Sequence, residues 1–480
     1  MIKRFPKLPI FKTIGLTLLL ITNLEYLNFS QKLVFTPSEI NADLNYLNKY
    51  LNKWHPTYYS YTSKPEMDEI LKKVKNKHSG ETSLHDFRAS VKRIVSKVGC
   101  GHMNVSMPKK MVIDSVKALP FDVNLIGQRI YVRKYIGQDS LLKNGDEILS
   151  INDLKSDSLI TNLCELITSD GHNLTHKTAI LEKAFFIIYY QNFGQSKTTR
   201  IVFKTTNNEI KTAIIENLYR TSYDNYFRNS TDSSKIINKG KYINLQKTDI
   251  NAKTFKIDFN AFGGPKLRKN YRQIFKYLKQ NNTENLIIDL RDNPGGNGFA
   301  GYNFLKYLIK SPVQFVNLSR KPNLTLINPR FKAGFFERIT PLLFMLNPIQ
   351  YPNKHGWNHA FPFVKHYKNH YDGQLFVITN GLTFSMAAIT TTLLKNKANA
   401  TIIGEETGGS SYGSRGMAQG KIILPNSKIQ VEINTYQIKY GKNRDNGRGI
   451  LPDFPIEYSY EERAVKKDKE MEKIRELITF

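Results

Sequence analysis

Three short stretches of the sequence place reactive residue types beside turns, and the first contains Ser385. In "FVITNGLTFSMAA" an apolar run is followed by a turn and then by small residues suited to the start of a helix. A serine there lies at the positive end of the helix dipole, where free backbone N–H groups stabilise an alkoxide or an oxyanion. The same position suits an ordinary capping serine, so this stretch alone leaves both roles open.

The second stretch, "DLRDNPGG", ends in Gly295 and Gly296 directly after an apolar run. Two glycines let a backbone turn expose its N–H groups and let a substrate approach closely, which makes the pair a candidate oxyanion hole. A plain turn after a strand has the same sequence. Arg291 in this stretch is predicted to form a structural ion pair, because an arginine next to a buried strand needs a partner.

The third stretch, "VGCGHMNV", places His102 directly after a predicted helix end. Histidine changes its charge near neutral pH and is therefore a candidate general base. The chain contains ten histidines. Most histidines are structural, so His102 is a strong candidate for a general base only when it is considered together with the other two stretches.

These stretches occur in a fixed order with "TIIGEETGGSSYG" and "GRGILPD" downstream. In that order they resemble the carboxy-terminal processing peptidase and tricorn-core family of serine peptidases. The resemblance covers nearly the whole chain after the first 31 residues. It implies an α/β, crotonase-like (ClpP/crotonase) catalytic domain with an N-terminal helical cap and a PDZ-like insert. It also implies hydrolysis of peptide bonds through an acyl-enzyme, with no metal and no organic cofactor.

The resemblance assigns roles by position. It implies that Ser385 is the nucleophile and that Met386, Gly295 and Gly296 form the oxyanion hole. One branch of the family uses a lysine base in a stretch like "GE-T-GKG", but this chain has glycine there, in "GEETGG". A lysine base is therefore not expected, and the nearest downstream lysines, Lys395 and Lys397, are expected to be dispensable for turnover.

The tricorn-like branch uses a histidine that precedes the PDZ domain, and His102 stands at that place. In that branch a glutamate near the "G–PD" motif orients the histidine. Here Asn446 occupies the matching position, and Asp445 is the nearest charged substitute. Gly101 stands where tricorn-type members have a serine. The resemblance thus names Ser385, His102 and Asn446 as the catalytic set, with the third member in doubt.

Two alternatives to a peptidase stay open at this point. One is a catalytically inactive, peptide-binding or scaffold member of the same fold. The other is a crotonase enzyme acting on acyl-CoA, which is disfavoured because those enzymes use neither this serine motif nor a PDZ insert. Labelling with a reagent for active-site serines separates the peptidase from the inactive scaffold.

The elements that must position these residues can be read from caps and periodicity. Thr36, Pro37 and Glu39 form a capping box with proline at the first helical position, and a second helix is predicted from about Ser83 to a stop at Gly99. Farther on, "TFKIDF", "NLIIDL" and "QLFVIT" are apolar strand candidates, and "LRKNYRQIFKYLKQ" is a helix between the first two. This alternation predicts a sheet with flanking helices.

Five segments follow from these patterns. Basic residues ahead of a short apolar run predict an export signal, and the run of about nine residues is too short to span a bilayer, so an uncleaved membrane anchor is the lesser option. "NGDEILSIN" resembles the turn and strand of a PDZ domain, and residues 225–240 suit a polar linker. The predicted segments are the signal peptide 1–31, the helical cap 32–110 with the candidate base, the PDZ-like domain 111–224, the crotonase-like catalytic domain 225–460 and a charged helix 461–480.

The composition of the chain limits the classes of molecule that it is expected to bind. The 480 residues include 70 Lys+Arg against 41 Asp+Glu, a net charge of +29, but the basic residues are spread over every segment. A scattered excess does not predict a nucleic-acid site, so the expected partners are protein or peptide substrates. The chain has only two cysteines, Cys100 and Cys164, and one disulfide between them is left open. The expected location is periplasmic or extracellular, and the oligomeric state is not indicated.

Overall fold

A computed structural model describes the chain from residue 32 to residue 479 with internal gaps; the described residues are 32–107, 117–137, 139–219, 236–238, 242–264, 266–310, 313–314, 317–320, 332–333, 350–353, 356–360, 363–364, 370–441 and 445–479. The helices are α1 Pro37–Trp54, α2 Lys64–Lys77, α3 Leu84–Ser96, α4 Ser156–Cys164, α5 Leu174–Lys183, α6 Phe185–Phe193, α7 Leu267–Gln280, α8 Gly298–Leu305, α9 Met386–Ala398, α10 Tyr460–Ala464 and α11 Lys469–Thr479. The strands are β1 Val34–Phe35, β2 Thr82–Ser83, β3 Asn104–Ser106, β4 Lys117–Ala118, β5 Phe121–Ile126, β6 Arg129–Tyr135, β7 Glu147–Ile151, β8 Leu154–Lys155, β9 Thr198–Lys204, β10 Ile210–Glu216, β11 Leu218–Tyr219, β12 Ile236–Asn238, β13 Ile243–Lys247, β14 Thr254–Phe259, β15 Asn285–Asp289, β16 Val313–Gln314, β17 Asn317–Arg320, β18 Gln350–Asn353, β19 Gly356–Ala360, β20 Phe363–Val364, β21 Gln374–Thr379, β22 Thr401–Gly404, β23 Gly413–Ile423, β24 Gln430–Lys439 and β25 Phe454–Pro455. Together they form a mixed α/β fold.

The first helices begin and end where their caps predict. The Thr36 side chain accepts from the Glu39 amide, and the Glu39 carboxylate accepts from the Thr36 amide, which confirms the capping box of α1. Ser83 caps α3 in the same way through the Asp86 amide. Gly99 turns the chain after α3 with φ +68°, where a Cβ would lie 2.5 Å from the Tyr61 ring, so glycine is required there.

An antiparallel sheet follows, with strand order β10-β9-β7-β6-β5 and β8 paired to β7. The strand predicted in "NGDEILSIN" is β7, which follows the turn at Gly145. Helices α4, α5 and α6 contribute to the same apolar core, with Leu159, Leu181 and Phe185 fully buried. The loop before α5 and α5 itself reach the candidate site described below.

A seven-stranded sheet has the order β12-β13-β14-β15-β21-β22-β25 and is parallel from β14 to β25. The predicted strands and the basic helix α7 are confirmed almost to the residue. The polar linker predicted at 225–240 is wrong in part, because Ile236–Asn238 form β12 and pair with β13. Three residues in a polar stretch are too few to show the alternation that marks a strand in sequence. The rest of the segment 225–240 lies outside the described residues.

Both faces of this sheet are covered, which explains its continuous apolar strands. Leu286 and Ile288 face α7, α8 and α9, whereas Ile287 between them faces the C-terminal helix α11 and its buried Ile474. The C-terminal tail was predicted as one charged, solvated helix. It is instead two helices, and α11 buries an apolar side that the abundance of charge concealed.

A second antiparallel sheet, with strand order β18-β19-β17-β24-β23 and β3 paired to β24, joins segments that are distant in sequence. Strand β3, only two residues beyond His102, pairs with β24 through Val105 and Val431. The N-terminal helical region is thereby fixed to the C-terminal part of the chain. This pairing sets the position of His102.

Two expectations concern segments outside or at the margin of these elements. The predicted signal peptide, residues 1–31, lies outside the described residues. Within the part of the chain that is described, no helix has both the length and the apolarity needed to cross a bilayer. Cys100 and Cys164 are both buried and free, so no disulfide joins them.

Candidate active site

The turn that carries Ser385 and the loop that carries Gly295 and Gly296 leave the same edge of the parallel sheet. Strands β15 and β21 are parallel neighbours, so the loops after them meet beyond their carboxyl ends, where open α/β sheets bind ligands. The Thr383 hydroxyl donates to Leu290 O at 2.8 Å, and the Phe384 amide donates to Asn293 O at 2.9 Å. These bonds lock the two loops against each other.

Ser385 has an unusual backbone for a residue with a side chain. Its φ of 52° and ψ of −118° lie outside the regions that L-residues favour, and its side chain makes no capping bond to α9. The plain capping role, which the sequence left open, is therefore not what this side chain does. Strained turns of this kind are concentrated at functional sites.

His102 reaches Ser385 across 283 residues of sequence. Its Nε2 lies 3.0 Å from Ser385 Oγ, within the range for a nucleophile and its base. The Phe384 ring packs on the imidazole with a centroid distance of 4.6 Å. Two glycines permit this close packing, because a side chain at either position would clash. A Cβ on Gly101 would lie 2.7 Å from the Phe384 ring, and one on Gly416 would lie 2.5 Å from His102 Nε2.

The backbone N–H groups that are candidates for the oxyanion hole differ in whether they already donate a hydrogen bond. Gly295 donates its N–H to Asn293 Oδ1 at 2.9 Å, so that amide is occupied. A Cβ on Gly295 would lie 2.6 Å from Met386 N and 2.8 Å from Ser385 Cβ, so its contribution is close approach. Within the described residues, no acceptor lies in hydrogen-bonding range of the Gly296 or Met386 amide, as expected at a helix start for the latter.

Asn446 is not brought to the imidazole, and its predicted role as the orienting group has to be corrected. Its side-chain oxygen accepts from the Arg448 amide at 3.1 Å, which closes its own exposed turn. The group that faces His102 Nδ1 is Ser414 Oγ, at 3.5 Å. Sequence matching missed Ser414 because it lies on β23, in a stretch outside the quoted motifs.

Asp445, the charged substitute considered beside Asn446, belongs to another network. It accepts from the Tyr61 hydroxyl at 2.6 Å and from Arg415 at 3.3 Å. The Arg415 side chain is 1% exposed and also donates to Thr57. Through Arg415, this cluster holds the strand that carries Ser414. Among the described residues, the members of the cluster make no hydrogen bond to the imidazole.

The other cations singled out by sequence lie away from the Ser385 hydroxyl. Lys395 pairs with Asp453 at 2.7 Å. Arg291 pairs with Asp289 at 2.7 Å and with Asp468 at 3.2 Å, so it ties the sheet to the segment before α11. The structural reading of Arg291 is thus confirmed.

The electrostatics of His102 favour the neutral imidazole. Burial lowers its pKa below the ordinary value, Asp170 acts in the opposite direction, and His176 and Arg415 lower the pKa further. Asp170 is fully buried and was missed by the sequence analysis. A neutral imidazole at physiological pH can accept the serine proton, which is the requirement for a general base.

Comparison with known proteins gives one family and one fold. Residues 252–456 match the model of Peptidase family S41. Two solved structures are similar over nearly their whole length: mature CPAF complexed with lactacystin has a TM-score of 0.69 and 14% identity over 92% of this chain and 98% of that chain. A second structure of mature CPAF has a TM-score of 0.65 and 14% identity over 92% and 97% of the two chains. At this identity the likeness concerns the fold alone, and no curated protein matches the chain significantly.

Proposed function

We propose, from the premise that this chain is a serine peptidase of family S41, that Ser385 is its nucleophile and His102 its general base. The observation that carries this proposal is the 3.0 Å contact between His102 Nε2 and Ser385 Oγ beside two unoccupied backbone amides. Its substrates are proteins or peptides, as the family implies.

The reaction follows from these positions. His102 Nε2 takes the proton of Ser385 as Oγ attacks the scissile carbonyl, and the imidazolium then gives the proton to the leaving amine. The amides of Met386 and Gly296 donate to the oxyanion of the tetrahedral intermediate. Water activated by the same histidine releases the acyl group from Ser385.

The scaffold around this site is proposed to follow the family plan. The seven-stranded sheet and its helices correspond to a crotonase-like catalytic domain, α1 to α3 to a helical cap, and the β5–β10 sheet to a PDZ-like insert. A PDZ-like domain binds an extended peptide by strand addition, which suits selection of substrate C-termini. The segment boundaries given above, and export by residues 1–31, belong to this proposal.

A labelling experiment with cleavage of an unfolded protein tests the proposal. A fluorophosphonate reagent should modify the purified chain at Ser385, and Ser385→Ala should abolish both labelling and cleavage of unfolded casein with an unchanged melting temperature. Ser411→Ala is the control, because in the described part of the chain its hydroxyl donates only to Arg448 O in a neighbouring loop. A folded wild-type chain that neither labels nor cleaves would instead favour the inactive peptide-binding scaffold.

A further inference from the structure

Serine triads usually contain a carboxylate that contacts the base, and no carboxylate among the described residues contacts His102. Because Nε2 must accept the proton of Ser385, the other ring nitrogen, Nδ1, carries a hydrogen and needs an acceptor. Among the described residues, Ser414 Oγ is that acceptor, and no carboxylate oxygen lies in hydrogen-bonding range of the imidazole. The 3.5 Å distance is longer than an ordinary N–H···O hydrogen bond of about 2.7–3.2 Å, and catalytic contacts that are long in the absence of substrate often tighten when it binds.

Ser414 is held at this place by an irregularity in its strand. The register of β23 against β24 shifts between Ser414 and Met417. A bulge re-aims successive side chains, and here Ser414 is 1% exposed and faces the imidazole while Arg415 points into its own buried network. Gly416 then passes directly over the ring. The irregularity therefore shapes the strand around His102.

The nearest buried negative charge approaches the base through the backbone. Asp170 Oδ1 accepts from the Gly101 amide at 3.0 Å, in the turn that carries His102. Asp170 Oδ2 accepts from the Ser410 amide at 3.4 Å, in the loop that leads to Ser414. One carboxylate thus joins the two segments that flank the imidazole, and its side chain is 0% exposed.

We propose that two tasks of the triad carboxylate are divided in this chain: Ser414 receives the Nδ1 hydrogen and fixes the ring, and Asp170 supplies the negative charge through the adjoining turn. Both are positioning residues, and the proposal rests on His102 acting as the base. A charge that does not touch the ring still favours the imidazolium formed during the reaction, because the intervening groups are packed and exclude water. His176 and Arg415, the other charged or titratable groups near the ring, act against the imidazolium.

The two roles predict different changes in the dependence of kcat/KM on pH. Ser414→Ala should lower the plateau about tenfold, the effect of one lost hydrogen bond, with little movement of the acidic limb. Ser414→Thr, which keeps the hydroxyl, should recover activity relative to alanine. Asp170→Asn should move the acidic limb to lower pH, because the imidazolium loses its favourable neighbour.

Matched controls separate these effects from general damage. Ser411→Ala removes a hydroxyl from the same loop, and Asp43→Asn removes another fully buried carboxylate that holds the backbone amides of Asn426 and Ser427. Asp43→Asn should destabilise the chain without moving the acidic limb. Circular dichroism and the melting temperature establish that each variant is folded.

Several outcomes would overturn the division of roles. Ser414→Ala with wild-type kcat/KM would remove Ser414, and an unmoved limb in folded Asp170→Asn would remove Asp170. If Asp170→Asn does not fold, the smaller neutral variant Asp170→Ser takes its place. If neither folds, Asp170 serves the fold and not the base, and its assignment fails. Failure of the proposed function itself looks different: either the folded wild-type chain neither labels nor cleaves, or His102→Ala keeps the wild-type activity.

Discussion

The proposed nucleophile, Ser385, and the proposed base, His102, are held in two different ways. Ser385 sits in a turn that is bonded to loops following neighbouring strands of the same sheet, through Thr383 to Leu290, Phe384 to Asn293 and Gly409 to Thr383. His102 is held by contacts from three distant parts of the chain, through Asp170, Ser414 and Phe384. One half of the site is therefore built by the parallel sheet, whereas the other depends on how separate segments are packed together.

The largest expected effect comes from removing the imidazole from the second half. His102→Ala should reduce kcat/KM by about 10³-fold or more, because the serine loses the group that takes its proton. The measurement is cleavage of an unfolded protein by the folded variant. His85→Ala, a change of a partly buried histidine in α3, serves as the control and should stay near wild type. A His102→Ala variant with most of its activity would show that the base lies elsewhere.

A smaller loss should follow when the imidazole is kept but displaced. Gly416→Ala places a Cβ 2.5 Å from His102 Nε2, between the base and solvent, so the ring must move. A misplacement of about 1 Å can cost about 10²-fold in rate, and kcat should fall by roughly this factor. The exposed position predicts a nearly unchanged melting temperature. Gly80→Ala is the control, because its Cβ would meet open space; equal activities of the two variants would contradict the close packing at Gly416.

The pH profile measures the environment of the base without any substitution. Burial lowers the pKa of His102, so the neutral form persists to more acidic pH than for an exposed histidine, whose pKa is about 6.5. The chain should therefore keep more than half of its plateau kcat/KM at pH 6.5. The free energy of unfolding should also decrease toward acidic pH. The unfolded chain protonates His102 at about pH 6.5, whereas the folded chain resists protonation, so lowering the pH below about 6.5 favours the unfolded state. An acidic limb centred above pH 7 would contradict the packing described around the ring.

The smallest effect is expected at Lys395, the nearest lysine downstream of Ser385 and therefore the first candidate for a lysine base. Lys395→Ala should leave kcat/KM within about twofold of wild type, because the side chain forms a surface pair with Asp453 and surface pairs contribute little. The same assay under saturating and limiting substrate checks both kcat and KM. A large loss of kcat in a folded Lys395→Ala variant would mean that the base half of the site has been misassigned.

The difference between the two halves also explains what the sequence could predict. The strands β14, β15 and β21, the helix α7 and the cap at Thr36 follow from local rules, because apolar runs, capping residues and turn glycines are adjacent in sequence. The turns that contain Ser385 and Gly296 were predicted for the same reason, but local patterns left the roles of both residues open, and these roles were predicted from the order of the motifs. His102 was found by its place in an ordered set of motifs.

The supports of the base escaped prediction because no local pattern marks them. Asp170 lies in "SDGHN", a polar stretch whose burial results from packing between the β5–β10 sheet and the catalytic loops. Ser414 directly precedes a register shift in β23, and shifts of this kind depend on the partner strand. Asn446 was predicted from alignment to a motif, and its own turn uses its side chain instead. Polar residues held by long-range contacts need the structure to be found.

The backbone of Ser385 has a consequence for how this position changes over evolutionary time. A side chain at φ 52° and ψ −118° costs on the order of 1–3 kcal/mol of folding free energy, and glycine would not carry this cost. Selection for stability alone would therefore favour glycine at position 385, and only selection for a hydroxyl opposes that drift. A descendant released from catalysis should lose this serine early, while the buried residues of the neighbouring sheet, which stabilise the fold, should be retained much longer.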